Sequence, residues 1–286
     1  MLGEAVYNTF SKECSVLASD IDMNESWLEY CDVRDLNSVL KMSLEFKPDL
    51  LINLAALTDL EYCETNPEDS WLTNALGQEN ICLAAKKLDI PVVYISTAGI
   101  FDGEKEYYHD FDLPKPLSIY GKSKYYGETI TQGLADKHFI FRAGWMMGGG
   151  TKKDKKFLNK IFKQITSGKK ELFVVDDKLG TPTYTVDFAK SMFKILNMDF
   201  FGLYNMVCEG SGSRYDVALE FLKCLSLEDK MKINIVKSDY FKKEYFAPRP
   251  LSEKLINLKL RKRDICYMRD WRECLKEYSS IFTREL

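Results

Sequence analysis

Two stretches are apolar almost without interruption, Leu50-Leu51-Ile52-Asn53-Leu54-Ala55-Ala56 and Val92-Val93-Tyr94-Ile95-Ser96-Thr97. Runs of this length predict strands covered on both faces. Ser15-Val16-Leu17-Ala18-Ser19-Asp20 reads as a shorter buried strand that ends in an acid. Helical spacing fills the intervals. Asp32-Val33-Arg34-Asp35 leads into a helix through Glu45, with Asp35 as its N-cap, and a second helix runs from about Pro67 to Lys87. Met1 to Tyr7 reads as the first turn of a helix with no apolar strand before it. Strands alternating with helices at this spacing imply βαβ units and a parallel, doubly wound α/β sheet. Such a sheet gathers ligands at the carboxyl ends of its strands, where Asp20, Ala55-Ala56 and Ser96-Thr97 fall.

Composition narrows the class without naming a chemistry. With 286 residues the chain is long enough for one sizeable α/β domain, or for a large and a small one. The formal net charge of -3 gives no electrostatic reason to expect nucleic acid or an anionic membrane as a partner. No apolar stretch approaches the roughly 18 residues of a membrane span, and no signal-peptide layout opens the chain. The eight Cys are scattered with no CxxC spacing and read as reduced thiols of a cytoplasmic protein. His109 and His138 are too few and too far apart to suggest a metal centre.

Chemistry enters at Ser118-Ile119-Tyr120-Gly121-Lys122-Ser123-Lys124. Tyr120 and Lys124 stand four apart, so on a helix they share one face. An ammonium beside a phenol stabilises phenolate and is expected to draw its pKa down from about 10, leaving a general acid for an oxygen that gains charge. Among 16 Tyr such a pair also arises by chance, so it draws its weight from what surrounds it. In the second half, Gly148-Gly149-Gly150 followed by Lys152-Lys153 and Lys155-Lys156 reads as a flexible basic loop, either simply solvated or able to close over a diphosphate. Helices over Thr185–Leu196, Ser213–Leu225 and Trp271–Phe282 carry amphipathic core stripes.

Asn53-Leu54-Ala55-Ala56, Ile95-Ser96-Thr97-Ala98-Gly99-Ile100-Phe101-Asp102-Gly103 and Tyr120-Gly121-Lys122-Ser123-Lys124 resemble the extended short-chain dehydrogenase/reductases, and among them most closely the dTDP-4-dehydrorhamnose reductase family. Phe141-Arg142-Ala143-Gly144-Trp145, Gly180-Thr181-Pro182-Thr183-Tyr184-Thr185-Val186-Asp187 and Arg249-Pro250-Leu251-Ser252 continue the likeness in order over nearly the whole chain. The resemblance implies a Rossmann-like NAD(P)-binding part over 1–145. Residues 146–286 would be mainly substrate-binding and interleaved with the last strands of the sheet. It places Gly3 at the last glycine of the phosphate-binding turn, Asp20 on the adenosine ribose, Asp32 and Val33 at the adenine, and Leu54, Ala55 and Ala56 where backbone passes the cofactor. Thr97, Tyr120 and Lys124 become the catalytic set, with Tyr120 and Lys124 also touching the cofactor. Thr97, Trp145, Thr181 and Arg249 become substrate contacts. The implied reaction is NAD(P)H-dependent reduction of a nucleotide-linked 4-keto-6-deoxy sugar. Asp20 favours NADH by repelling a 2′-phosphate, with Arg34 placed to soften that. The implied partners are the nucleotide sugar and a second copy in a homodimer.

Three departures shape further expectations. The opening strand and the first two glycines of the turn are missing, so Met1 is expected to be an internal methionine preceded by about ten residues of strand and glycine turn. Where the family has Asp-Tyr after the active Thr this chain has Ala98-Gly99, which removes two sugar contacts. Glu4 lies one position away from an acid that binds magnesium in some relatives, so no metal is carried over. A nucleotide-sugar 4-epimerase needs only Thr, Tyr, Lys and retained NAD, and a non-catalytic regulatory subunit of the same fold would explain the missing turn. A 4,6-dehydratase is disfavoured, because Ala98-Gly99 supplies no acidic pair for elimination.

Overall fold

Val92–Thr97 (β4) is the buried centre of a four-stranded parallel sheet in the computed structural model, which describes residues 1–286. Its neighbours are Leu51–Asn53 (β3) on one side and His138–Ala143 (β5) on the other, with Val92 opposite both Leu51 and His138. Two further strands, Ala18–Asp20 (β1) and Leu28–Tyr30 (β2), pair in parallel only with each other. The N-terminal helices are Leu2–Phe10 (α1), Leu36–Phe46 (α2), Leu60–Thr65 (α3), Pro67–Trp71 (α4), Gly77–Leu88 (α5) and Ile119–Leu134 (α6). Asp35 caps α2, its carboxylate accepting from the Asn37 amide, as the sequence predicts.

The second half supplies short strands: β6 (Trp145–Met147), β7 (Glu171–Val175), β8 (Leu179–Gly180), β9 (Pro182–Tyr184), β10 (Gly202–Asn205), β11 (Gly212–Ser213), β12 (Lys232–Val236) and β13 (Ser252–Glu253). Its helices are α7 (Gly150–Lys153), α8 (Phe157–Thr166), α9 (Thr185–Leu196), α10 (Arg214–Cys224), α11 (Leu258–Lys262) and α12 (Trp271–Thr283). β10 returns to the large sheet and pairs with β5. Phe141, Phe188, Tyr204, Phe221 and Trp271 join both halves in one core, and Phe10 of α1 meets Phe193 of α9 edge to face at 5.0 Å. A capping box closes the start of α10, where Ser213 and Asp216 satisfy each other's backbone amides.

Three predicted elements are corrected. The strand expected over Ser15–Asp20 is only Ala18–Asp20, and its side chains are half-buried or exposed, because nothing covers its outer face. The run Leu50–Ala56 is strand only over Leu51–Asn53. Asn53 turns its side chain back to the Ala55 amide at 3.0 Å and donates to Gln78, which ends the extended pairing. The helix over Pro67–Lys87 is interrupted by a π-turn at Leu72–Leu76. There Asn74 accepts from the Leu57 amide and donates to the Leu57 carbonyl, anchoring the irregular segment after β3, an arrangement π-turns commonly serve at functional sites.

β1 and β3 lie in separate sheets and border one apolar slot walled by Val16, Leu17, Leu50 and Ile52.

Candidate active site

β4 ends at Thr97, and the chain then bends through a 3₁₀ turn, Ala98–Ile100, held by the Gly99 amide donating to the Thr97 hydroxyl at 3.1 Å. α6 starts beside this turn. Ser118 caps it by accepting from the Gly121 amide at 3.1 Å, and the Glu64 carboxylate accepts from the Ile119 amide at 2.7 Å. Gly121 is required for the approach: a Cβ there would lie 2.4 Å from the Gly99 carbonyl oxygen. One turn of α6 thereby presents Tyr120 to Thr97 and carries Lys124 beneath the sheet.

Thr97 and Tyr120 converge at Gly99, where a Cβ would lie 3.5 Å from the Thr97 hydroxyl and 3.7 Å from the Tyr120 ring, and the Thr97 hydroxyl favours the ionised phenol. Burial nevertheless dominates, and the phenol is pushed up to about 12. This corrects the expectation that Lys124 draws the phenol down. Lys124 is only 3% exposed, with its ammonium 4.1 Å from the Tyr94 ring centroid and no carboxylate in contact, and burial lowers its own pKa to about 7. Tyr120 is therefore a protonated donor at neutral pH, while Lys124 is balanced between its two forms.

Thr97, Tyr120 and Lys124 line a crevice of about 2720 Å³, well beyond the ~300–1,000 Å³ of a pocket for one small ligand. Gly3, Asp20, Asp32, Val33, Leu54, Ala55 and Ala56 line the same crevice. Gly3 is open, since a Cβ there meets nothing within 4 Å, and Asp20 is exposed at the tip of β1. Val33 packs on Gly77, and its carbonyl accepts from Asn80 at 2.8 Å. Asp32 is engaged by Arg34, whose guanidinium holds its carboxyl below the usual range. A dinucleotide fits the exposed acid, the open glycine and the small-residue strand tip, with Asp20, Gly3 and Ala55-Ala56 placed to hold it.

The substrate-side expectations divide. Trp145 lines the crevice, its indole nitrogen donating to Glu253 at 2.7 Å. Gly180 lets the ring lie against the chain, because a Cβ there would meet it at 2.2 Å. Thr181 is not a substrate contact. It is fully buried, and its hydroxyl accepts from the Leu255 amide at 3.1 Å while its carbonyl accepts from the Trp145 amide. It anchors the segment that carries Glu253. Arg249 reaches the crevice, but Glu61 occupies both of its guanidinium ends at 2.7 and 2.8 Å. Two lysines of the basic loop are engaged, while Lys152 and Lys155 are exposed and unpaired. Lys153 pairs with Glu25 at 2.5 Å and with Glu4, and Lys156 donates to the Thr58 hydroxyl at 3.0 Å.

Glu253 and Arg214 were not singled out in the sequence. Glu253 Oε1 comes within 3.5 Å of the Cβ position at Gly99. Its only sequence signal is its place directly after Arg249-Pro250-Leu251-Ser252. Arg214 stacks on the Trp145 ring at 3.6 Å, and a lone Arg after a helix cap gives no warning of that.

The family model described as RmlD substrate binding domain matches residues 1–284. The spore coat polysaccharide biosynthesis protein SpsK of Bacillus subtilis is 30% identical over 248 residues, which cover 86% of this chain and 84% of that protein. A dTDP-4-dehydrorhamnose reductase structure from Clostridium acetobutylicum superimposes with a TM-score of 0.84 at 30% identity, covering 98% of this chain and 95% of that one. The Bacillus anthracis dTDP-4-dehydrorhamnose reductase, solved in complex with NADP, has a TM-score of 0.80 at 27% identity, with 88% of each chain covered. With its motifs, its parallel sheet and its Thr-Tyr-Lys crevice, the chain belongs to the RmlD substrate-binding-domain family, that of the dTDP-4-dehydrorhamnose reductases, nicotinamide-dependent oxidoreductases of nucleotide sugars.

Proposed function

We propose that this chain reduces the keto group of a nucleotide-linked 4-keto-6-deoxy sugar, with Tyr120 as general acid. The observation that carries the reading is the juxtaposition of Thr97 and Tyr120 at the crevice floor, with Lys124 one helical turn behind. A reduced nicotinamide, when bound, supplies the hydride. The chain's own contribution begins with the carbonyl oxygen, which receives hydrogen bonds from the Thr97 hydroxyl and the Tyr120 phenol. As negative charge grows on that oxygen, Tyr120 gives up its proton to it; burial keeps the phenol protonated until then, at some cost in acid strength. Lys124 in its charged form stabilises the phenolate left behind.

NADH is the favoured cofactor in this reading. Asp20 stands exposed at the strand tip, and Arg34, the residue placed to welcome a 2′-phosphate, has its guanidinium held by Asp32. The missing acidic pair after Thr97 argues against elimination chemistry, and an epimerase remains the second reading because Thr97, Tyr120 and Lys124 suit it equally.

Two measurements test these roles. In an absorbance assay with nucleotide 4-keto-6-deoxy sugars, wild type is expected to oxidise NADH at least about tenfold more efficiently than NADPH, and Tyr120→Phe to lose at least about a hundredfold in kcat while still binding NADH. Full activity of Tyr120→Phe removes the acid role, and a preference for NADPH removes the Asp20 argument. Stability tests Lys124. Its folded pKa lies near 7 and below the unfolded value, so its burial penalty is absent above about pH 10.5, grows as pH falls from there, and is complete below about pH 7. Lys124→Met is therefore expected to be more stable than wild type by a few kcal/mol at pH 6, the gap narrowing by pH 9. A gap independent of pH contradicts the buried, shifted lysine.

A further inference from the structure

Lys156, Lys178, Arg214 and Arg249 are among the cationic side chains that line the crevice. All of these but Arg214 have fixed partners. Lys156 donates to Thr58, Lys178 to the carbonyls of Arg249 and Pro250 at 3.0 and 3.3 Å, and Arg249 to Glu61. Arg214 has no side-chain hydrogen bond and no ion pair. Its guanidinium carbon lies over the Trp145 ring, 3.6 Å from the centroid, and 5.0 Å from the centroid of Phe157. Glu253 is near but does not neutralise it by contact, since its carboxylate is turned toward the indole nitrogen of Trp145.

We propose that Arg214, and not Arg249, is the anion anchor of the substrate site, its guanidinium receiving a phosphoryl oxygen of the nucleotide-sugar diphosphate. The assignment rests on the nucleotide-sugar reading above. A guanidinium stacked on an aromatic face keeps its N–H edge free and in plane, the geometry that suits two phosphoryl oxygens at once. A half-buried cation without an ion pair carries a desolvation cost. Burial lowers the Arg214 pKa to about 10; Glu253 offsets part of this and Arg249 adds to it. An arriving diphosphate relieves the effects of burial and of Arg249. Arg249 offers no such opening, because an anion would first have to displace the bidentate Glu61. The stack also couples anchor to sugar pocket. Trp145 holds Arg214 on one face and Glu253 at its nitrogen, so a diphosphate on Arg214 leaves the attached sugar beside Glu253 and the Thr97 turn.

Titration calorimetry of the full chain with dTDP, UDP and inorganic pyrophosphate tests the assignment, with NADH binding followed separately. Wild type is expected to bind at least one nucleoside diphosphate. Arg214→Gln should weaken it at least about tenfold, as loss of a charge-assisted contact does, with NADH affinity unchanged. Arg214→Lys, which keeps the cation and fills the stack, should retain part of the affinity and serves if the glutamine variant does not fold. Arg249→Gln should change it less than about threefold. Undiminished nucleotide binding by Arg214→Gln or Arg214→Lys overturns the assignment alone, as does an equal loss of NADH, which would place the anchor on the cofactor. Failure of wild type to bind any nucleoside diphosphate overturns the nucleotide-sugar reading with it.

Discussion

The close approach of α6 to β4 is the constraint on which the site depends. Two glycines permit it. A Cβ at Gly121 would collide with the Gly99 carbonyl at 2.4 Å, and one at Gly127 would meet the Tyr94 hydroxyl at 2.2 Å. The Tyr94 hydroxyl in turn donates toward the carbonyls of Asn74 and Lys124, so the strand is tied to the helix and to the π-turn at once. Tyr120 directly precedes the first of these contacts, and Lys124 sits between the two. A larger residue at either glycine would lift the helix and separate the phenol from Thr97.

That closeness has an electrostatic cost, and the chain manages it differently at different cations. Arg142, also buried, is matched by Glu128 at 2.7 Å, an arrangement that fixes β5 to α6 without any part in the crevice. Lys124 has only the face of Tyr94 and the more distant field of Glu128. Buried charge without a contacting partner is rare in a core that serves packing alone, and it concentrates where ligands bring the missing charge or dipole. Arg214, half-buried over Trp145, likewise has no carboxylate in contact.

Local features of the site were legible in the sequence because they depend on short spacing. Tyr120 and Lys124 lie one turn apart, Asp35 caps the helix directly after it, and Thr97 ends an apolar run. Features that depend on long-range pairing were not. Glu61 and Arg249 are 188 positions apart, and nothing in either neighbourhood says that one will occupy the other. Thr181 looked like a pocket residue from its motif, yet the strand register turns it inward to Leu255. The sign of the shift at Tyr120 was misread for a related reason. Helical spacing gives the distance to a charge, whereas desolvation depends on everything packed around the phenol.

Isotope transfer tests the central claim most directly. Reduced nicotinamide carrying deuterium at the transferred position is incubated with the chain and a nucleotide-linked 4-keto-6-deoxy sugar, and the product is read by NMR. Deuterium at sugar C4, with one nicotinamide oxidised per sugar reduced, is the predicted result. An unlabelled sugar, or one inverted at C4 without net oxidation of nicotinamide, would contradict the account.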